Sequence, residues 1–352
     1  MDASDLTVLH VLPHVQEIGN GIVDVTVDLA IAQAAAGLSV VVASGGGEYE
    51  DLLTRHGVTC IPLTLRPEGL LESRRIVRRL RPSVIHTHTL KGLALARATA
   101  GGIPVLNTAH RDLGRWSRGM RMAHRVLAVS DGIAETLGQV MDPARITVVR
   151  NGVLGGPRRQ PLLDLPAADL RRPSVVFVGG MYTHKGVGVI LRAFRRLLDD
   201  EPGLGARLYM VGDGPDRAQY QELATTLGIA DHVEWAGFRR DAYAYIRGCD
   251  VFALPSLEET FGLVLAEARE AGAPIVAAAT GGVPEVLEHG RAGHLVPRDD
   301  VDAFASALRA VLLDETERIR LGKAASEGLD WLGVDRMHRD VLRAYDSVLE
   351  TA

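Results

Sequence analysis

The stretch Pro255 to Glu267, P-S-L-E-E-T-F-G-L-V-L-A-E, concentrates residue types that can hold a polar ligand. An apolar run, Val251 to Leu254, stops at Pro255; an acidic turn follows, and helical periodicity runs from Phe261 to Ala271. A strand, a turn and a helix start in this order leave the first amides of the helix, those of Phe261, Gly262, Leu263 and Val264, as donors, and Gly262 lets a ligand approach the backbone closely. Such a corner suits phosphate. Glu259 lies on the turn and Glu267 two turns into the helix, eight positions on, a rise of roughly 12 Å if every position were helical. Two carboxylates so placed bracket an extended ligand around a helix-bound phosphate, which is the layout of a nucleotide sugar. The plainer alternative is that Glu259 favours the helix dipole and Glu267 is solvated.

Other constellations carry less. His86-Thr87-His88 offers two imidazoles, but alternate strand positions with no nearby Cys or acidic partner make a poor site, and no metal is expected. Asp300 and Asp302 form the only D-x-D; they precede a helix beginning near Val301 and read as cap and dipole charges, not as ligands of a metal-bound diphosphate. Gly212-Asp213-Gly214 is half a dinucleotide fingerprint, and the opening β-turn-α unit, from Leu6 through Ala36, has no G-x-G-x-x-G, so a dinucleotide cofactor is not indicated. Cys60 and Cys249, the only cysteines, are too few for a disulfide framework or a zinc site and are expected to be buried thiols.

The elements that must position these residues recur along the chain. Leu6 to Leu12, Val40 to Ala43, Thr59 to Leu65, Val84 to Thr87, Val105 to Thr108 and Val126 to Val129 are short aliphatic runs, separated by helical patterns such as Glu68 to Leu80 and Leu93 to Ala100. This alternation predicts a parallel sheet covered on both faces, with ligands beyond the strand carboxyl ends, where His86, His88 and His110 fall. Gly155 to Pro173, rich in Pro, Gly, Arg and Asp, reads as a linker. A second set of runs follows: Val175 to Val178, Leu208 to Val211, Val233 to Gly237, Val251 to Leu254, Pro274 to Ala278 and His294 to Pro297, with a closing helix from Val334 to Leu349.

The segment E-T-F-G-L-V-L-A-E, followed by A-G-A-P-I-V-A and T-G-G-V-P-E-V, resembles the C-terminal half of the retaining family 4 glycosyltransferases of the GT-B fold, and nearly all 352 residues match segment by segment. The resemblance implies an α/β protein of two Rossmann-like parallel-sheet domains facing each other across a cleft. Residues 1–154 would be the acceptor side, 155–173 the linker, 174–330 the nucleotide-sugar-binding domain, and 331–352 a helix returning to the first domain. It also implies roles. Glu267 would bind the ribose, Glu259 with the Phe261 and Gly262 amides the hexose, and the helix start with Lys185 of G-G-M-Y-T-H-K-G the diphosphate. Thr108-Ala109-His110 is similar to the family's T-x-H, making His110 a contact of the transferred sugar; the alternative is a histidine that merely ends a strand. The loop G-F-R-R-D after Gly237 would lie beside the base. Three positions depart from the pattern. Asn20-Gly21 stands for a Gly-Gly pair, with Gly21 expected to supply a tight turn near the donor phosphates; Arg150 stands for a common proline; and Gly180 stands where an Arg precedes the Lys by five positions, which removes a positive charge from the leaving-group clamp.

The activity implied is transfer of a sugar, with retention, from a UDP- or GDP-linked donor to an acceptor hydroxyl, without metal or other cofactor, the leaving phosphate taking the acceptor proton. A nucleotide-sugar epimerase on the same fold would need acid and base groups beyond Glu259 and His110. A catalytically weak nucleotide-sugar-binding subunit is the reading that Gly180 keeps open. Composition agrees with a soluble α/β protein: 47% hydrophobic residues, few aromatics, no spanning apolar stretch and no basic leader, which points to a cytoplasmic protein. The net charge of −5 is uneven. Residues 66 to 125 hold 13 basic residues against Glu68, Glu72 and Asp112. Arg111, Arg115 and Arg118, just after His110, are candidates for an acceptor that is a small molecule, a glycan or lipid-linked; a nucleic-acid partner is not expected, and contact with an anionic membrane surface is a further expectation.

Overall fold

The computed structural model describes residues 6–112 and 114–350. The chain forms two compact units, one running to Arg159 and resuming at Asp330, the other spanning Gln160–Leu329.

In the first unit, β1 (Thr7–Val11), α1 (Gly21–Ala35), β2 (Ser39–Ser44), α2 (Glu50–Arg55), β3 (Thr59–Pro62), α3 (Gly69–Leu80), β4 (Val84–Thr87), α4 (Leu90–Thr99), β5 (Val105–Ala109), β6 (Arg125–Ala128), α5 (Asp131–Gly138) and β7 (Ile146–Val148) alternate. Among the described residues its strands form one parallel sheet, β3-β2-β1-β4-β5-β6-β7. Helices cover both faces of such a sheet, so its strands read as continuous aliphatic runs: β4 and β5 are buried at every position. The chain order reverses between β1 and β4, and crevices for ligands open at such a switch point.

The second unit contains α6 (Gln160–Leu163), β8 (Ser174–Val178), α7 (Val187–Asp200), β9 (Arg207–Val211), α8 (Arg217–Thr226), β10 (Val233–Gly237), α9 (Ala242–Gly248), β11 (Val251–Leu254), α10 (Leu263–Glu270), β12 (Ile275–Ala278), α11 (Val283–Val286), β13 (His294–Val296), α12 (Val301–Leu313) and α13 (Glu315–Ala325). Its parallel sheet runs β10-β9-β8-β11-β12-β13, with the switch point between β8 and β11. The apolar stripe of α7, including Ile190, Leu191, Phe194 and Leu197, packs into the core of this sheet. The last helix, α14 (Val334–Leu349), belongs to the first unit and packs against α1. Two architectures of the same kind, each a parallel sheet with helices, thus match the expected fold class.

Several local expectations change. β7 and α2 carry no strong periodicity and were not expected as elements. Residues 114–122 wind as a 3-10 helix. α10 starts at Leu263 instead of Phe261, because Gly262 takes left-handed angles (φ 89°) and the Phe261 ring turns into the core. Glu267 therefore stands just over one turn into the helix. Asp300 caps α12 by accepting from the Ala303 amide at 2.9 Å, the role read for this D-x-D. Cys249 is buried, but Cys60 is only partly so.

Candidate functional site

In the second unit the loops after β8 and β11, the strands of the switch point, are tied together. The amides of Leu257 and Glu258 both donate to the His184 carbonyl, at 2.8 and 3.1 Å. Lys185 Nζ donates to Glu259 Oε2 at 2.7 Å, and Ser256 Oγ reaches the same oxygen at 3.5 Å. Two glycines allow this approach. A Cβ on Gly186, itself left-handed, would lie 1.9 Å from the Pro255 carbonyl oxygen, and one on Gly281 (φ 50°) would lie 1.7 Å from that of Glu259. The Gly282 amide then donates to the Glu259 carbonyl at 3.1 Å, holding the acidic turn from its other side. Helix α10 begins four residues after Glu259, and the amides of Leu263 and Val264 in its first turn are donors that the helix cannot satisfy. Glu267 is half-buried on α10. The corner thus brings a cation, a fixed carboxylate and a helix N-terminus to the carboxyl edge of β8 and β11.

The ion pair is the feature that the sequence did not disclose. The resemblance assigns Lys185 and Glu259 to different parts of a ligand, whereas the structure joins them; their side chains keep only 25% and 11% of their surface exposed. A partly dehydrated pair orients both groups and leaves the cation half-neutralised. Beside it, Gly180 faces an aromatic ring: a Cβ there would lie 2.6 Å from Tyr182 Cε2. Tyr182 is exposed and stacks on His184, ring centroids 5.5 Å apart. The neighbouring loop brings up a cation, Arg217, whose guanidinium donates to Asp213 at 3.2 Å and to the Trp235 carbonyl at 3.3 Å. That loop is bound to the Lys185 loop by the Met181 amide on the Asp213 carbonyl (2.9 Å) and by Thr183 on Asp216 (3.1 Å). A cavity of about 400 Å³ opens elsewhere in this unit, lined by Tyr209, Glu234, Arg239, Asp241 and Tyr245 among others, and touches neither Lys185 nor Glu259.

The switch point of the first unit is filled by imidazoles. His10 on β1, His86 on β4, His88 just beyond β4 and His110 just beyond β5 form a continuous network. His10 Nδ1 lies 3.0 Å from His88 Nε2, and His88 Nδ1 lies 3.2 Å from His110 Nε2. His10 Nε2 meets Gln33 Oε1 at 2.7 Å, Gln33 Nε2 donates to Tyr345 Oη at 3.1 Å, and His86 bridges Tyr345 Oη and Thr108 Oγ1, each at 2.7 Å. Ring atoms of His10, His86 and His88 lie within 4.8 Å of one another, a spacing that admits a metal ion. So the pair His86 and His88 does have a third partner, His10, brought to it by the pairing of β1 with β4. These rings are nevertheless occupied: both nitrogens of each already meet a protein group in the contacts above. Burial pushes His10 and His110 down to about 4, and His86 and His88 well below the ordinary value, with neighbouring imidazoles adding to the effect on the last two.

The basic residues occupy one flank of the first unit. Helix α3 packs on α4, and α4 on the 3-10 helix at 114–122. Arg74, Arg75, Arg78 and Arg79 on α3 are exposed and, among the described residues, form no ion pair. On the 3-10 helix Arg115 lies over the exposed Trp116 ring at 5.2 Å, and Arg118 is exposed, as is Arg111 before it. Arg121 differs, since it is bonded to the Val140 carbonyl.

Comparison with known proteins accords with this geometry. Residues 19–153 match the family model described as Glycosyltransferase Family 4, and residues 172–314 that described as Glycosyl transferases group 1. The chain belongs to the family 4 glycosyltransferases of the GT-B fold. A D-inositol 3-phosphate glycosyltransferase of Kribbella flavida is 33% identical over 285 residues, 76% of this chain and 66% of the relative. A protein of the same name from Corynebacterium glutamicum is 34% identical over 199 residues, 53% of this chain and 48% of that relative. The chain thus spans about half to two thirds of the length of these curated relatives. Among solved structures, HepE of Anabaena in complex with UDP and glucose superposes with a TM-score of 0.81 at 19% identity, covering 97% of this chain and 100% of that one. Sucrose-phosphate synthase of Thermosynechococcus elongatus gives 0.81 at 20% identity, covering 99% and 100%.

One departure of this family 4 chain is corrected by the structure. Gly21 does not make a left-handed turn: it is the first residue of α1, and Asn20 caps that helix from extended angles by accepting from the Ile22 amide at 3.1 Å. The left-handed residue is Gly19 (φ 69°). Asparagine is among the favoured caps, so its place before Gly21 costs nothing locally.

The neutral histidines make a pH prediction with a definite sign. In the unfolded chain these rings protonate near pH 6.5; in the folded chain His10 and His110 wait until about pH 4, and His86 and His88 resist further. Stability should be full above about pH 6.5 and should fall on acidification, by about 1.4 kcal/mol per pH unit for each fully titrating ring. Asp28, raised to about 6 by burial, acts in the opposite sense below pH 6, because the folded chain then keeps a proton that the unfolded chain releases; Asp24, also raised by burial, acts in the same direction as Asp28. The urea midpoint of the full chain should therefore drop between about pH 7.5 and about pH 5.5, less steeply in His88→Gln. A midpoint indifferent to pH over that range would contradict neutral burial of the network.

Proposed function

We propose that the chain is a retaining glycosyltransferase that moves a hexose from a nucleoside diphosphate sugar to an acceptor hydroxyl. The observation that carries the reading is the Lys185–Glu259 pair beside the first turn of α10, at the switch point of the second sheet. The diphosphate lies on the amides of Gly262, Leu263 and Val264 with Lys185 alongside, Glu267 holds the ribose, and Glu259 with the Phe261 amide holds the hexose. His110 contacts the transferred sugar. Gly180 gives the Tyr182 ring room beside the donor's diphosphate, and Gly21 opens α1 on the donor side. A uracil base is favoured by the solved neighbour bound to UDP and glucose.

As the anomeric bond breaks, its electron pair passes to the β-phosphate oxygen. Fixed amides and a positioned ammonium stabilise that growing charge more than they stabilise the ground state. The acceptor oxygen bonds to the anomeric carbon on the face the phosphate leaves, and its proton passes to the departing phosphate, so no enzyme nucleophile is used. Lys185 and the helix start perform the neutralisation that a divalent metal would otherwise supply. An anionic acceptor suits the flank beyond β5, and the curated relatives are named for an inositol phosphate. Arg111, Arg115 and Arg118 are the side chains for its phosphate. The same arginines, with Trp116 and Met122 exposed among them, also suit a cytoplasmic enzyme docking on an anionic membrane whose lipid-linked substrate it uses. A weakly active nucleotide-sugar-binding subunit is the second reading, favoured by the missing Gly180 charge and by the engagement of Lys185 with Glu259.

Three measurements test this. Loss of a charge-assisted hydrogen bond costs about 1.5 to 3 kcal/mol, so Glu267→Ala should weaken UDP binding by roughly one to two orders of magnitude while Glu259→Ala impairs sugar transfer but not UDP affinity; equal UDP affinity in wild type and Glu267→Ala would remove Glu267 from the ribose. Transfer should survive a chelator, and activity lost with chelator but restored by magnesium or manganese would put a metal in the diphosphate site. Replacing Arg111, Arg115 and Arg118 with Gln should weaken acceptor use or vesicle binding, with salt acting in the same direction, and should leave UDP affinity alone. Unchanged acceptor kinetics, with no vesicle binding by either protein, would reduce the flank to a solvated surface.

A further inference from the structure

The loop after β8 holds a glycine that its own φ does not require. Gly180 lies outside the left-handed region, unlike Gly186 in the same loop (φ 69°). What this glycine supplies is space. A Cβ on it would lie 2.6 and 2.7 Å from Cε2 and Cδ2 of Tyr182, well inside the separation at which carbon atoms attract. The phenol ring therefore lies where any side chain at residue 180 would begin.

The chain on either side sets the ring in that place. The Tyr182 amide donates to the Gly180 carbonyl and the Lys185 amide to the Tyr182 carbonyl, each at 2.9 Å. Tyr182 thus caps the 3-10 turn Thr183–Lys185, and phenol and ammonium rise from one short segment. That segment is tied to the β9 loop through Met181 and Thr183 and to the β11 loop through the His184 carbonyl. The His184 ring stacks on the phenol, centroids 5.5 Å apart. Tyr182 itself is 45% exposed, and among the described residues its hydroxyl has no hydrogen-bond partner.

We propose that Tyr182 is a donor-binding residue whose hydroxyl donates a hydrogen bond to the diphosphate of the nucleotide sugar. The inference rests on the reading of this corner as the diphosphate site. A diphosphate presents several anionic oxygens, while Lys185 is shared with Glu259 at 2.7 Å. Arg217, the cation on the β9 side, is turned to Asp213 and to the Trp235 carbonyl, at 3.2 and 3.3 Å. A phenol O–H is a donor that can meet a remaining oxygen, and a hydrogen bond to an ionised acceptor is stronger than one between uncharged groups. Stacked on His184 and seated on bare backbone, the ring is ordered before the ligand arrives, which spares the binding step that cost. As charge grows on the leaving phosphate, a donor fixed in this way gains strength with it.

The test measures binding of UDP and of uridine to the full chain by calorimetry or competition, with GDP and guanosine in their place if the wild type prefers them. Tyr182→Phe, which keeps the ring and removes only the hydroxyl, should weaken UDP binding about ten- to a hundredfold, as loss of a hydrogen bond to a charged group does, and leave uridine binding as it was. Gly180→Ala, whose methyl pushes the ring aside, should weaken UDP about as much. The two substitutions together should cost no more than either alone, because both remove one interaction. Arg217→Gln should leave UDP affinity near that of the wild type. Unchanged UDP affinity in Tyr182→Phe overturns the proposal. Equal loss of UDP and uridine also overturns it, by placing the ring against the nucleoside, and so does a loss confined to Arg217→Gln, which would give the phosphate to that guanidinium. Lys185→Ala separates the proposal from the reading beneath it: UDP bound more weakly there but not in Tyr182→Phe strikes the phenol alone, whereas UDP affinity indifferent to both strikes the diphosphate site as well.

Discussion

The corner around the start of α10 depends on one constraint: two loops from strands at opposite sides of a topological switch must come close enough for Lys185 to meet Glu259. Parallel sheets place all their loops of one kind at one edge, so the fold supplies the neighbourhood. It does not supply the last few ångströms. Those come from Gly186 against Pro255 and Gly281 against Glu259, where any side chain would collide with a carbonyl oxygen. The pair then holds Glu259 in place before any ligand arrives, and preorganisation of this kind spares the binding step the cost of ordering it.

Much of the architecture was legible because parallel sheets with covered faces leave a strong signature. Aliphatic runs such as Val84 to Thr87 and Val251 to Leu254 are strands in the structure, and α14 begins and ends where its apolar repeat does. The misses have local causes. β7 is three half-buried residues on the sheet edge, too short for a pattern to show. The start of α10 shifted by two residues because Gly262 takes a left-handed conformation, which periodicity does not register. The acidic turn and the helix were visible in the sequence, whereas the joining of Glu259 to Lys185, 74 positions away, was not.

The histidine network shows the same limit more sharply. His86, His88 and His110 were visible as strand-end residues, but they were read separately, as a poor metal pair and a lone contact. What joins them is β1 pairing beside β4, which sets His10 opposite His86, and α1 and α14, which bring Gln33 and Tyr345 to the same place. None of these last three residues stands out in a sequence. A histidine in an apolar strand, a glutamine in a helix rich in Val, Ala and Ile, and a tyrosine near the C-terminus each look like ordinary core or surface positions. Their common feature is burial without charge, for which each needs a partner, and those partners are one another.

The two sheets solve opposite electrostatic problems at equivalent places. At its switch point the second unit keeps a cation and a carboxylate only partly dehydrated, with 25% and 11% exposure, and sets them against each other. The first unit buries His10, His86 and His88 and half-buries His110, and burial disfavours their charged form. The difference matters for a leaving diphosphate. On the proposed reading, Lys185 already spends part of its field on Glu259 and Gly180 contributes none, so the fixed dipoles at the start of α10 would carry a larger share of the neutralisation than beside a second cation. Amide dipoles cannot be titrated or screened by protonation. That part of the corner's field is therefore fixed whatever the pH, whereas the neutral rings of the first unit supply hydrogen-bond donors and acceptors in place of charge.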